Sequence, residues 1–306
     1  MPYVHVVFTL PQELAPLAYH NKRILYDLLF QASAATLLEI AADPKHLGAE
    51  IGILSVLHTW GQTLQHHPHV HCVIPAGGLS PDHTRWVHPR YAFFLPVKVL
   101  GRFFRGKFVA GLKRAWKRNQ LCLPGSLKSF AQQKVFHSFI RSLFRKDWVV
   151  YSKPPFGGPQ YVLQYLARYT HRVAISNHRL VSFADDKVTF RGKNYKRGGR
   201  QAVMTLAVDE FLRRFLQHTL PRHFVRIRAF GFLANRRRAP LLPLCRQALP
   251  AVTPTPASTP AGGGSTATPP LWRCPHCGGA MVAAERFTRQ ELLWELSRQG
   301  VTIDSS

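Results

Sequence analysis

The chain opens on an alternating, β-branched stretch, Tyr3–Leu10, which predicts a strand stopped by Pro11. From Pro16 to Ala42 the apolar positions recur with helical spacing and predict one long helix, ended at Asp43-Pro44. Ile51–Trp60 and Val70–Ile74 read as strands. Turn signals at Gly77-Gly78 and Pro81-Asp82 come before a short strand near Arg85–Val87. Pro96 opens a second helix with one apolar and one strongly basic face, and a third runs from about Ser126 to Phe144. A Pro- and Gly-rich loop at 154–159 then launches a short helix over Gln160–Thr170. β-like segments follow at Arg172–Ser176, Arg179–Phe183, Lys187–Arg191 and Ala202–Leu206. After them come a basic helix, Val208–Thr219, and a basic stretch with Arg226, Arg228 and Arg236–Arg238. Hairpins interrupted by helices, without regular βα alternation, predict an α+β fold: a central, mainly antiparallel sheet with flanking helices.

The pattern fails at Pro250–Pro270, a Pro/Gly/Ser/Thr-rich stretch that cannot bury a core and reads as a flexible linker. Beyond it, residues 271–306 form a short tail with one Cys-x-x-Cys and an amphipathic helix. Charge narrows the partner. With 41 Lys+Arg against 15 Asp+Glu, the formal net charge is +26, which fits a polyanion bound through released phosphate counterions. No run of about eighteen apolar residues occurs, so no membrane span is expected. The N-terminus lacks a signal-peptide pattern. Five scattered cysteines make no disulfide framework and fit a reducing cytosol. Among only 15 acidic residues, the candidates Asp82, Asp185, Asp186, Asp209 and Glu210 form no convincing carboxylate set for two-metal chemistry.

Histidine and tyrosine supply the candidate chemistry. In the stretch Gln62–Cys72, strand alternation puts His69 and His71 on one face and Val70, Cys72 and Ile74 on the other, toward the core. Two imidazoles about 7 Å apart along a strand can converge on one ion. The same spacing also suits an exposed His-rich edge with no metal. His67 shares the face if the strand starts early, although Pro68 can break it. Tyr161, Tyr165 and Tyr169 recur at helical i, i+4 and i+8, with Arg168 and Arg172 close by. A tyrosine needs such positive charge, or a metal-polarised electrophile, to attack phosphorus. An aromatic core stripe has the same spacing.

His69-Val70-His71 followed by Tyr165-Leu-Ala-Arg-Tyr169 resembles the two-tyrosine branch of the His-hydrophobic-His nucleases, and more closely the rolling-circle insertion-sequence transposases. Val6–Pro11, Leu57–Gln62 (LHTWGQ), Gly77-Gly78-Leu79 and Tyr165–Asn177 (YLARYTHRVAISN) are also similar to that family. The resemblance covers about residues 3–245. It implies a histidine pair on a central strand with the tyrosine helix beside it, within a nuclease domain over 1–206 and a basic DNA-binding extension over 207–249. His69 and His71 would ligate Mg²⁺ or Mn²⁺, with Gln62 as third ligand and Gln164 and His67 as rivals. Tyr165 and Tyr169 would be the nucleophiles. The substrate would be single-stranded DNA, cut and rejoined through a 5′-phosphotyrosine with no nucleotide cofactor, in the cytoplasm at the nucleoid. Replication initiators and relaxases share this chemistry. Arg168 and Arg172 would meet DNA near the site, and the basic helix, through Lys113, Arg114, Lys117 and Arg118, would contact phosphates. The family usually carries a cysteine-rich zinc domain before its first motif. Here the chain starts at that motif, so a DNA-binding remnant without activity is the alternative. Cys274 and Cys277 look like half of a zinc ribbon, with His276 or Cys245 as possible further ligands.

Overall fold

The computed structural model describes residues 2–89, 95–156, 174–194, 200–249, 272–273 and 280–281. The chain divides into two compact units, Met1–Ala251 and Val252–Ser306. In the first, the strands are β1 (Tyr3–Thr9), β2 (Gly52–Trp60), β3 (His66–Pro75), β4 (Gly78–Leu79), β5 (Trp86–Val87), β6 (Val150–Phe156), β7 (Leu180–Ala184), β8 (Lys187–Asn194), β9 (Arg200–Ala207) and β10 (Ile227–Gly231). The helices are α1 (Ala15–His20), α2 (Lys22–Ala42), α3 (Val97–Lys117), α4 (Gln133–Phe144), α5 (Val208–Leu216) and α6 (Asn235–Ala248). In the second unit, Trp272–Arg273 pairs antiparallel with Ala280–Met281.

A five-stranded antiparallel sheet in the order β10-β2-β3-β1-β6 forms the centre. Its two faces are unlike because side chains alternate along each strand. Val4, Val6 and Phe8 of β1, Leu57 of β2 and Val70, Cys72 and Ile74 of β3 point one way and are fully buried. They share one apolar core with α2, α3 and α4, through residues such as Leu29, Phe30, Phe104, Phe108 and Phe136. The helices therefore cover that face. α2 is long and apolar enough by length and composition to cross a membrane, but here Leu25, Tyr26, Leu29, Phe30 and Leu37 lie wholly in the core. The α+β class and the antiparallel sheet expected from the pattern are what the fold contains.

The predicted helix Pro16–Ala42 is two helices, broken at Asn21. The Asn21 amide donates to the carbonyls of Leu17 (3.0 Å) and Cys122 (2.8 Å) and accepts from the Cys122 N–H (2.7 Å). Helical spacing continues through the break, so the periodicity hid it. Ser126–Phe144 likewise opens as a 3-10 turn, Gly125–Ala131, before α4 begins. The basic stretch after Arg226 holds two elements that its charge concealed. β10 is an edge strand on β2, and α6 accommodates Pro240 and Pro243. β7, β8 and β9 form a separate antiparallel sheet. With α5 it packs round the β2–β3 turn, burying Leu64 beside Val188 and Phe190. Arg179, Arg214 and His218 bond the carbonyls of Gln62 (2.7 Å), Thr63 (3.0 Å) and Leu64 (3.0 Å).

Candidate metal centre

The sheet face away from the helices carries the histidines. β3 presents His67, His69 and His71 in sequence, running straight through Pro68. β2 presents His58, which pairs with His69 across the ladder, and β1 presents His5. Candidate ligand atoms of His58, His69 and His71 all lie within 4.8 Å of one another. The ring centroids are 4.2 Å apart for His58–His71 and 4.9 Å for His69–His71. His58 and His71 are buried.

Two neighbours orient these rings. Nδ1 of His69 donates to the His67 carbonyl at 2.7 Å, which makes Nε2 its lone-pair nitrogen. Nδ1 of His71 meets Nε2 of His5 at 2.9 Å, and the two rings stack 5.1 Å apart. In the tautomer whose Nδ1–H donates to His5, Nε2 is the nitrogen His71 would offer to a cation. A backbone carbonyl on the far nitrogen, as at His69, is a usual way a ligating imidazole is held.

The electrostatics keep the cluster neutral. Burial pushes His58 down to about 2, with the nearby charges of His69, Arg226 and His5 adding to the effect. Burial pushes His69 down to about 4 against the raising effect of its bond to His67. His71 is pushed down further by burial and by His58. Neutral imidazoles offer lone pairs, and three set within one ligand shell fit a divalent ion. No carboxylate joins the cluster among the described residues. The donor set therefore suits Zn²⁺ or Mn²⁺ better than Mg²⁺.

His69 and His71, picked out by their spacing, are brought together. His58 was legible only as part of the LHTWGQ motif. What makes it a neighbour is the β2–β3 register, which no local pattern reveals. Gln62 lies in the turn after β2, where its backbone carbonyl binds Arg179. Tyr161, Tyr165, Tyr169, Arg168, Arg172 and Gln164 lie outside the described residues, as do Cys274, His276 and Cys277. Cys245 is buried in an apolar cluster with Leu79, Trp86, Phe232 and Leu241, where burial raises its thiol pKa. Lys113, Arg114, Lys117 and Arg118 are exposed on α3, on the helical side of the sheet and away from the histidines.

A histidine-bearing antiparallel sheet in a chain of net charge +26 fits a protein that acts on nucleic acid. The chain belongs to the transposase family Y2_Tnp, described as "Putative transposase", which matches residues 52–240. It is 50% identical over 297 residues to "Putative transposase y4qJ" of Sinorhizobium fredii, covering 93% of this chain and 73% of that one. It is 30% identical over 294 residues to "Transposase for insertion sequence element IS801" of Pseudomonas savastanoi pv. phaseolicola, covering 92% and 67%. No solved structure matches. DNA is accordingly its partner.

Proposed function

We propose that the chain cuts and rejoins single-stranded DNA by tyrosine transesterification at the histidine face, as the transposase of a rolling-circle insertion sequence. The observation that carries the reading is the cluster of three neutral imidazoles from β2 and β3, held in orientation by His5 and the His67 carbonyl. His58, His69 and His71 would hold the metal, with Gln62 as the alternative third ligand. A divalent ion bound there supplies Lewis-acid polarisation of a non-bridging phosphate oxygen. Arg226, close enough to His58 to depress its protonation, adds positive potential for phosphate charge.

In this reading Tyr165 or Tyr169 attacks phosphorus. The phenolic oxygen–phosphorus bond forms as the phenol loses its proton. The bond from phosphorus to the 3′-oxygen breaks, and that oxygen takes up a proton as a free 3′-hydroxyl. The 5′-phosphotyrosine keeps the phosphodiester energy, so attack by a 3′-hydroxyl reverses the step without a nucleotide cofactor. A second tyrosine four positions away in the sequence would hold a second cleaved end. Arg168 and Arg172 would neutralise the strand beside it, while Cys274 and Cys277 would contribute to a zinc site in the tail.

The test is an SDS-stable adduct on a labelled single-stranded oligonucleotide with Mn²⁺. Tyr165→Phe and Tyr169→Phe each retain some adduct, and the double variant forms none while still binding DNA. An adduct in the double variant places the nucleophile elsewhere. Binding without adduct in the unaltered chain supports a DNA-binding role without catalysis.

A further inference from the structure

Between Val97 and Val150 the chain carries thirteen Lys and Arg and one acid, Asp147. Lys107 pairs with Glu39, and Lys146 with Glu13. On α3, Lys98, Arg102, Lys113, Arg114, Lys117 and Arg118 are exposed, and among the described residues none has a carboxylate within 4.0 Å. At 1.5 Å per residue, the row from Lys98 to Lys117 is about 28 Å long. Its opposite face, through Leu100, Phe104, Phe108, Leu112 and Ala115, is buried in the core under the sheet.

We propose that this outer face of α3 is a second DNA surface, which takes duplex DNA through its phosphates and is separate from the strand handled at the histidines. Two observations point there. The first is position. The histidines project from one face of the sheet and α3 lies on the other. Packed layers sit ~10 Å apart and a helix is ~10–12 Å across, so roughly 20 Å of protein separates the two surfaces. One short single strand cannot lie on both.

The second observation is the fate of the aromatic rings. Sequence-tolerant binding of single strands uses aromatic platforms on which bases stack, whereas duplex phosphates need only cations. Here Phe104 and Phe108 are fully buried. Trp116 stacks on Phe136 at 4.7 Å and donates its indole N–H to the Phe130 carbonyl at 2.7 Å. Phe103, the exposed ring of α3, stands ten residues before Lys113. Phe144, also exposed, has Arg105 over its ring at 4.9 Å. Among the described residues the surface offers charge without a base-stacking ladder. A transposase that held flanking duplex here would keep its target close while the exposed strand was processed opposite. The duplex surface rests only on the chain's binding of DNA, and the tyrosine chemistry is not needed for it.

The test uses the full chain and two probes, a blunt duplex and a short single-stranded oligonucleotide, followed by fluorescence anisotropy across a salt series. Replacing Lys113, Arg114, Lys117 and Arg118 together by Gln lowers duplex affinity at least tenfold. It flattens the salt slope by about 3 to 4, at ~0.9 for each phosphate no longer neutralised. Single-strand binding stays within about twofold. A second measurement needs no variant: saturating duplex leaves a short single strand bound to the unaltered chain. The proposal is overturned if the quadruple variant binds duplex normally, if both probes lose affinity alike, or if duplex displaces the single strand. His69→Ala with His71→Ala keeps duplex binding, so a failure of the cleavage reading shows separately.

Discussion

His58 gives the most searching test of the metal centre, because two independent quantities follow from its place in the sheet. Replacing it by Ala removes one of three imidazoles. Structural zinc held by four ligands has an apparent binding energy of ~10–16 kcal/mol, so one ligand is worth roughly 2.5–4 kcal/mol. The expected loss of Zn²⁺ affinity is therefore on the order of 100-fold, with a smaller loss for Mn²⁺. The second quantity is acid sensitivity. A histidine of ordinary pKa near 6.5 takes up a proton in the unfolded chain below that pH. In the fold His58 stays neutral down to about 2. Protonation therefore favours the unfolded state as pH falls below about 6.5. At pH 5 the cost is about 1.5 decades, or ~2 kcal/mol. His58→Ala should lose that share, so its stability falls less between pH 7 and pH 5 than that of the unaltered chain. Calorimetric titration with Zn²⁺ and urea unfolding at the two pH values measure both. Unchanged Zn²⁺ affinity with a weakened pH response would mean that His58 is packed beside His69 and His71 but is not a metal ligand. An unchanged pH response would refute the burial argument itself.

Two further outcomes are expected. His5→Phe keeps a ring stacked on His71 but removes the Nε2 contact to its Nδ1; metal affinity should fall ~10–100-fold, as for other groups that orient a ligating imidazole, with His71 still present. Titration with Mn²⁺ checks it, and an affinity within twofold of the original would show that His71 needs no such support. Gly231→Ala should destabilise the fold by at least ~2 kcal/mol, because φ is +63° and an added Cβ would lie 1.8 Å from the Ile51 carbonyl oxygen. A lowered urea midpoint with an unchanged slope is the expected result.

Local pattern determined much of this protein. Alternation in β3 separated His69 and His71 from Val70, Cys72 and Ile74, because a strand has only two faces and the apolar set must take the dry one. Pro11, Asp43-Pro44 and Pro96 marked element ends, since proline and its neighbours restrict the backbone wherever they stand. The basic excess pointed to nucleic acid without any structure. Other features depended on residues far apart in the chain. Asn21 breaks a continuous helical pattern because its amide is held by Cys122, a hundred and one positions on. Ile227–Gly231 became a strand because the edge of β2 was open to pair with it. His58 joined His69 and His71 only through the β2–β3 register, and a register is fixed by which whole faces are buried rather than by any one residue. The tertiary structure also decided that the cations of α3 and the histidines stand on opposite sides of the sheet. Amphipathicity gave that helix a basic face, but only packing against the sheet determined where the face points.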